Sequence, residues 1–198
     1  MKSLDEYITP QHRREMETRF YLSDPSCHER RVLKYSMQLF DALADLFEMG
    51  SKKRALLHYS ALLHDIGYEI GLQKHDTHTR RIILEDPFFQ FLPPLEKTML
   101  ALIAGGHRRK IGREIDLLPQ RCQETVKQLA SLLRIADAID YPRDEALMIE
   151  KVQLTDGQLV IHIHSAAFGA VSARVAQKSD LFHAAFALSL RLEEVGHT

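Results

Sequence analysis

Between residues 24 and 139 the apolar residues recur at intervals of three and four, and proline or glycine closes each such run. This pattern commits most of the chain to packed helices, because only a 3.6-residue period puts those positions on one face. A short charged helix is expected over about 10–20, after Pro10. The next run carries the stripe Val32, Tyr35, Leu39, Leu43 and Leu46. Ser23 or Asp24 suits its cap, Pro25 its first turn and Gly50 its end. Further helices are expected over about 52–66, stopped at Gly67, and over about 75–85, closed by Asp86-Pro87. Two more start at Pro93-Pro94, ending near Gly105-Gly106, and at Pro119, continuing to about Ile139.

Beyond about 145 the period changes. VQLTDGQLVIHIH holds two alternating runs around Asp156-Gly157, a hairpin pattern. A helix over about 178–187 and a strand over about 188–193 complete a β-β-α-β unit, with 165–176 left undetermined. The expected fold is therefore mainly α. A helical domain spans 1–145 and a small C-terminal α+β unit spans 146–198. The tail is expected to be structural, packing on the helices or supporting a dimer, because it holds no convergent acid-base set.

Composition bounds the function. With 26 Lys and Arg against 27 Asp and Glu, no strong field draws the chain to nucleic acid or anionic lipid. Two cysteines, Cys27 and Cys122, with no CxxC pair, argue against a thiolate metal knot. The sequence shows no apolar leader and no run of the roughly 20 apolar residues that span a bilayer. A cytoplasmic protein is expected.

The compositional excess is histidine, 11 residues in all. His28 heads the first long stripe. His64 shares a face with Leu57 and Ala61, with Asp65 one position round. His78 lies in line with Ile82, Met99 and Ile103 lead to His107, and Val126, Leu129 and Leu133 lead to Asp137. Five helices thus each aim a His or Asp along a core-facing stripe. Buried ionisable groups are costly unless paired or bound to a cation, so several at one depth point to a metal site. Any one of them alone is more simply a hydrogen-bonded core or surface residue. Imidazole and carboxylate ligands suit Mn, Mg, Fe, Co, Ni or Zn without distinguishing them.

His-Asp occurs twice. His64-Asp65 lies in ALLHDIG, apolar on both sides, and is read as the chemical pair. His75-Asp76 lies in the polar LQKHDTHTRR and is read as mostly surface, with Asp76 as a helix cap and, as the lesser alternative, His75 touching a ligand from one turn before His78. Arg108, Arg109 and Lys110, directly after His107, are candidates for holding phosphate as a set, with Lys74 and Arg143 as further candidates. Each taken singly reads as part of a solvated loop. His58, His162, His164, His183 and His197 are given no role; 162 and 164 fit the polar face of a half-buried strand.

The set His28, His64-Asp65 and Asp137 resembles the signature of the HD-domain metal-dependent phosphohydrolases. That resemblance implies an HD-type helical bundle with one metal bound by these four. It further implies a second metal at His78 and His107, with Asp65 bridging. LLHDIGYEI, KHDTHTRRIIL, GHRRK, LLRIADAID and KSDLFHAAFALSLRLEE are also similar to the C-terminal region of the exopolyphosphatase/guanosine pentaphosphate phosphohydrolase family, from about residue 20 onward. In that family the named activity belongs to N-terminal actin-like domains with glycine-rich loops, which have no counterpart in this sequence. The activity is therefore not carried over. The resemblance implies instead a metal-dependent hydrolase of a small phosphorylated substrate, whether phosphomonoester, nucleotide or phosphodiester, with Asp65 and His64 as catalytic residues. A non-catalytic module that binds polyphosphate, nucleotide or a partner is the alternative, and a homodimer stays open.

The two dipeptides give a direct test. Asp65→Asn keeps the side-chain shape and removes the charge, so metal content per chain should fall. Asp76→Asn should leave it unchanged. Metal analysis of both variants prepared in parallel decides which pair is chemical.

Overall fold

The computed structural model describes residues 2–108 and 110–196. After a 3-10 turn at Leu4–Glu6, helix α1 (Pro10–Arg19) opens at Thr9, whose hydroxyl accepts from the His12 amide. Helix α2 (His28–Leu43) is shorter at both ends than the sequence pattern suggests. At its start, Asp24 Oδ1 accepts from the Ser26 amide and hydroxyl in a local turn, so this carboxylate does not cap the helix. At its end, Glu48 takes a left-handed φ of 49° and the Met49 amide returns to the Ala44 carbonyl. Leu46, counted on the stripe, is 59% exposed. Gly50 then serves as the N-cap of α3 (Ser51–Leu63).

The 3-10 turn Ile66–Glu69 follows, then α4 (His75–Glu85), a second 3-10 turn Pro87–Phe91, and α5 (Pro94–Gly105). A turn at Arg113–Leu117 leads to α6 (Gln120–Ile139), the longest helix. Helices α3, α5 and α6 are the most enclosed, since Leu57, Leu63, Leu100, Ile103, Leu129 and Leu133 are all fully buried. They form the middle of the bundle, and α2 and α4 flank it.

Strands β1 (Met148–Thr155) and β2 (Gln158–His164) form the expected hairpin, with Asp156 and Gly157 both at positive φ. The undetermined segment folds as α7 (Phe168–Lys178) and is followed by α8 (Asp180–Phe186). Together they carry the chain over to β3 (Ser189–Glu194), which pairs with β2 in parallel. Parallel pairing requires such a crossover. Leu159, Ile161 and Ile163 of β2 join Val171, Val175, Phe182 and Phe186 in a core continuous with that of the helical bundle. Tyr35 of α2 donates to the Leu147 carbonyl at 2.7 Å, which ties the sheet to the bundle. The molecule is thus mainly α with a small C-terminal β unit. Among the described residues no helix is long and apolar enough to cross a membrane.

One close approach positions the site. A Cβ on Gly67 would lie 2.0 Å from the His75 carbonyl oxygen and 2.5 Å from the Thr79 amide nitrogen. The Thr79 hydroxyl donates to the His64 carbonyl at 2.8 Å and accepts from the Gly67 amide at 2.9 Å. The turn after α3 is therefore clamped backbone-to-backbone on the first turn of α4.

Gly67→Ala should destabilise the fold by about 2–3 kcal/mol, because the clashing atoms are backbone and cannot swing aside. Gly71→Ala, where nothing lies within 4 Å, should be near neutral. Urea unfolding midpoints of the two variants check the difference.

Candidate metal centre

Five helix ends meet at one point, two of them joined by the clamp. His28 is the first residue of α2 and His64 follows the last residue of α3, with Asp65 next. His75 opens α4, and His107 follows the C-cap of α5. Asp137 lies in the last turn of α6 and Asp140 is its C-cap. His28, His64, Asp65, His75, His107 and Asp140 are all buried.

Their side chains form two groups that share Asp65. In the first, His28 Nε2 lies 3.3 Å from His64 Nε2, 3.6 Å from Asp65 Oδ2 and 3.4 Å from Asp137 Oδ1. His64 Nε2 lies 3.5 Å from Asp65 Oδ2 and 3.9 Å from Asp137 Oδ1. In the second, His75 Nε2, His107 Nε2 and Asp65 Oδ1 are 3.2, 3.3 and 3.4 Å apart. Four ligands about 2.1 Å from a tetrahedral cation sit about 3.4 Å from one another.

The tautomers decide what these contacts are. His64 Nδ1 faces the Ala61 carbonyl at 2.8 Å, and His107 Nδ1 faces that of Ala104 at 2.6 Å. His75 Nδ1 faces the Leu72 carbonyl at 3.3 Å, and His28 Nδ1 faces Asp140 Oδ2 at 2.6 Å. A carbonyl or a carboxylate only accepts, so Nδ1 of His28, His64 and His107 carries the hydrogen, and each of these rings, when neutral, presents a bare Nε2 lone pair; His75 Nδ1 meets both the Leu72 carbonyl and Arg108 Nη1, 3.4 Å away. The lone pairs of His28 and His64, with their Nε2 atoms 3.3 Å apart, repel unless something positive lies between them. Asp65 Oδ1 is buried and makes no hydrogen bond among the described residues. These donors fit divalent cations, and each group could hold one.

The surrounding carboxylates draw positive charge to this point. Burial alone would lower His28, but Asp137 and Asp140 outweigh it and raise it to about 9, so a proton and a cation compete for its Nε2. Burial opposes ionisation of Asp65, yet the neighbouring imidazoles hold it far below the usual carboxylate range. Asp137, against its own burial, is held at about 2, chiefly by His28. Burial and then His64 push His107 down to about 4.

A family model described as Ppx/GppA phosphatase, domain III, matches residues 15–183. The chain belongs to that family. The match runs from within α1 to within α8, so the β1–β2 hairpin and α7 are part of the Ppx/GppA domain III pattern along with the bundle helices, and β3 lies beyond it. The comparison with curated proteins gave no match.

Of the residues singled out in the sequence, the structure of this domain III chain brings together His28, His64, Asp65, His107 and Asp137. His78 is not among them. It is half-buried, and the inward stripe of α4 is His75, Thr79 and Ile83. Sequence phasing aligned His78 with Ile82, one position off, because nothing local shows that Thr79 faces the clamp. His75, read as mostly surface, occupies the place expected of His78. Asp76 makes no cap hydrogen bond, and Lys74 stands at the N-cap with φ 58°.

The groups open into a cavity of about 200 Å3 whose rim includes Tyr68, Arg108, Tyr141, Arg143 and Arg174. Arg143 Nη2 lies 3.7 Å from Asp65 Oδ2, and the Arg174 guanidinium sits 5.1 Å over the Tyr141 ring. Lys110 is exposed and lines a neighbouring groove instead, and Arg109 lies outside the described residues. Arg174 comes from α7, so the tail supplies a group to the site and is more than a support. Sequence reading missed it because segment 165–176 carried no clear period.

Asp140 was also missed. It is fully buried, bonds His28 Nδ1, and takes a fork of two bonds from Arg31 at 2.8 and 2.9 Å. Its position, three residues past Asp137 in ADAID, is the signal that could have found it.

Two tests follow from this geometry. Asp140→Asn should weaken metal binding about 10- to 100-fold without removing a ligand, since it loosens the orientation of His28. His75→Ala should lose bound metal while His78→Ala keeps it. Metal titration of the three variants reads both outcomes.

Proposed function

We propose that this chain is an HD-type metal-dependent phosphohydrolase. The observation that carries the reading is that four imidazoles turn their Nε2 atoms onto the two sides of one buried carboxylate, Asp65. Membership of the Ppx/GppA phosphatase domain III family supports phosphohydrolase-related chemistry.

His28, His64, Asp65 and Asp137 would hold one divalent cation, and Asp65, His75 and His107 a second. Bound there, such cations supply Lewis acidity toward a phosphoryl oxygen and lower the pKa of water. The chain's own residues supply the rest. Asp65 fixes the spacing of the two ligand groups and offers an acceptor oxygen on each side. Asp140 and Arg31 hold the His28 ring in place. Arg108, Arg143 and Arg174 ring the cavity, and their guanidiniums match the negative charge on phosphoryl oxygens. With about 200 Å3 of space, the cavity takes a phosphoryl group and leaves the rest of a phosphomonoester, nucleotide or phosphodiester outside, against Tyr68 and Tyr141.

The test is metal analysis of protein purified without added metal. A panel of phosphomonoesters, nucleotides and phosphodiesters follows, each with Mn, Mg, Co, Ni, Fe and Zn. Turnover of at least one substrate is expected, abolished by chelation and reduced by orders of magnitude in Asp65→Asn. Bound metal with no turnover across the panel would overturn the enzymatic reading in favour of a binding module.

A further inference from the structure

Beside the cavity, a second groove of about 510 Å3 lies between the loop after α5, α6 and the end of α7. Its charged lining is Arg108, Lys110, Arg134, Lys178 and Asp180. Four cations thus meet one carboxylate, in a chain whose net charge is −1.

Arg134 is the distinctive member. It is 5% exposed, a charge almost wholly withdrawn from water. Its Nε donates to the Gly106 carbonyl at 2.6 Å, while Nη1 lies 3.6 Å from Asp180, a carboxylate that is 79% exposed. Such a partner in solvent offsets little of the cost of burial. Lys178 is half-buried and donates to the Arg108 carbonyl at 2.6 Å, which holds its ammonium in the same groove as the Arg134 guanidinium. Burial, with Arg174, Arg134 and Arg108 nearby, pushes Lys178 down to about 8, although Asp137 opposes this. Like charges gathered at this depth are stable together when an anion sits among them.

We propose that this groove is a phosphate-binding subsite, distinct from the metal-lined cavity and linked to it through Arg108. Arg108 lines both spaces, and its Nη1 lies 3.4 Å from His75 Nδ1. The occupant is a phosphoryl group other than one at the metals: free orthophosphate, or a second phosphate carried by a larger ligand. The forked donors of two arginines can take phosphate oxygens in pairs, and the rotatable ammoniums of two lysines add donors that can reach the remaining oxygens of a tetrahedral oxyanion.

The experiment is calorimetric titration of EDTA-treated protein with orthophosphate, and separately with a sugar bisphosphate. It needs neither metal nor turnover, so its outcome is independent of the hydrolase reading. Saturable binding is expected, weakened tenfold or more in both Lys178→Gln and Lys110→Gln but not in Arg143→Gln, which alters only the cavity. Lys110 is exposed, so its variant should fold even if Lys178→Gln does not. Orthophosphate binding with this pattern identifies a free anion as the occupant, and binding of the bisphosphate alone identifies a second phosphate on a larger ligand. Binding of neither ligand, binding unchanged in Lys110→Gln, or loss only in Arg143→Gln would overturn the proposal.

Discussion

The buried carboxylate of Asp65 is the constraint on which the rest of the site depends. Both of its oxygens are turned into a space walled by four imidazoles, and one of them makes no hydrogen bond among the described residues. An ionised carboxylate at that depth costs several kcal/mol unless positive charge compensates it. The neighbours are arranged to do this. Each histidine is fixed through Nδ1 to the backbone or to Asp140, which leaves Nε2 free to face Asp65. The fold serves this arrangement by ending or beginning helices around the point. Residues at helix ends are held by the hydrogen bonds of the terminus and still reach into a shared space.

Why some of this was legible in the sequence and some was not follows from the range of the forces involved. His28, His64, His107 and Asp137 each continue an apolar stripe within their own segment, a one-dimensional signal. Helix boundaries marked by proline, as at Pro94 and Pro119, were legible for the same reason. The choice between His75 and His78 was not. It depends on how α4 is rotated about its axis, and the Thr79 hydroxyl sets that rotation by bridging two backbone groups of another segment. Local polarity was misleading there, since LQKHDTHTRR is polar although His75 and Thr79 are buried.

Arg174 and Asp140 show two other limits. Arg174 lies on a helix whose residues FGAVSARVAQK give few apolar anchors, and Val171 and Val175 become a stripe only against α6 and the sheet. Asp140 looks like a cap in isolation. Its role appears only with His28 and Arg31, 112 and 109 residues away. Long-range polar contacts leave no periodic trace in a single sequence, so such second-layer residues remain hidden until the chain is folded.

The separation of the ligands has a thermodynamic consequence. The candidate ligands run from His28 to Asp137 and come from α2, the turn after α3, α4, the turn after α5, and α6. No fragment of the bundle contains them all, and an unfolded chain scatters them. A cation that binds the assembled set therefore binds the native state almost alone. By mass action it adds about 2.7 kcal/mol to the unfolding free energy at a hundred times its dissociation constant. A marginally stable domain draws a large share of its total stability from such a term. A cation held by this set would couple occupancy to foldedness, each favouring the other.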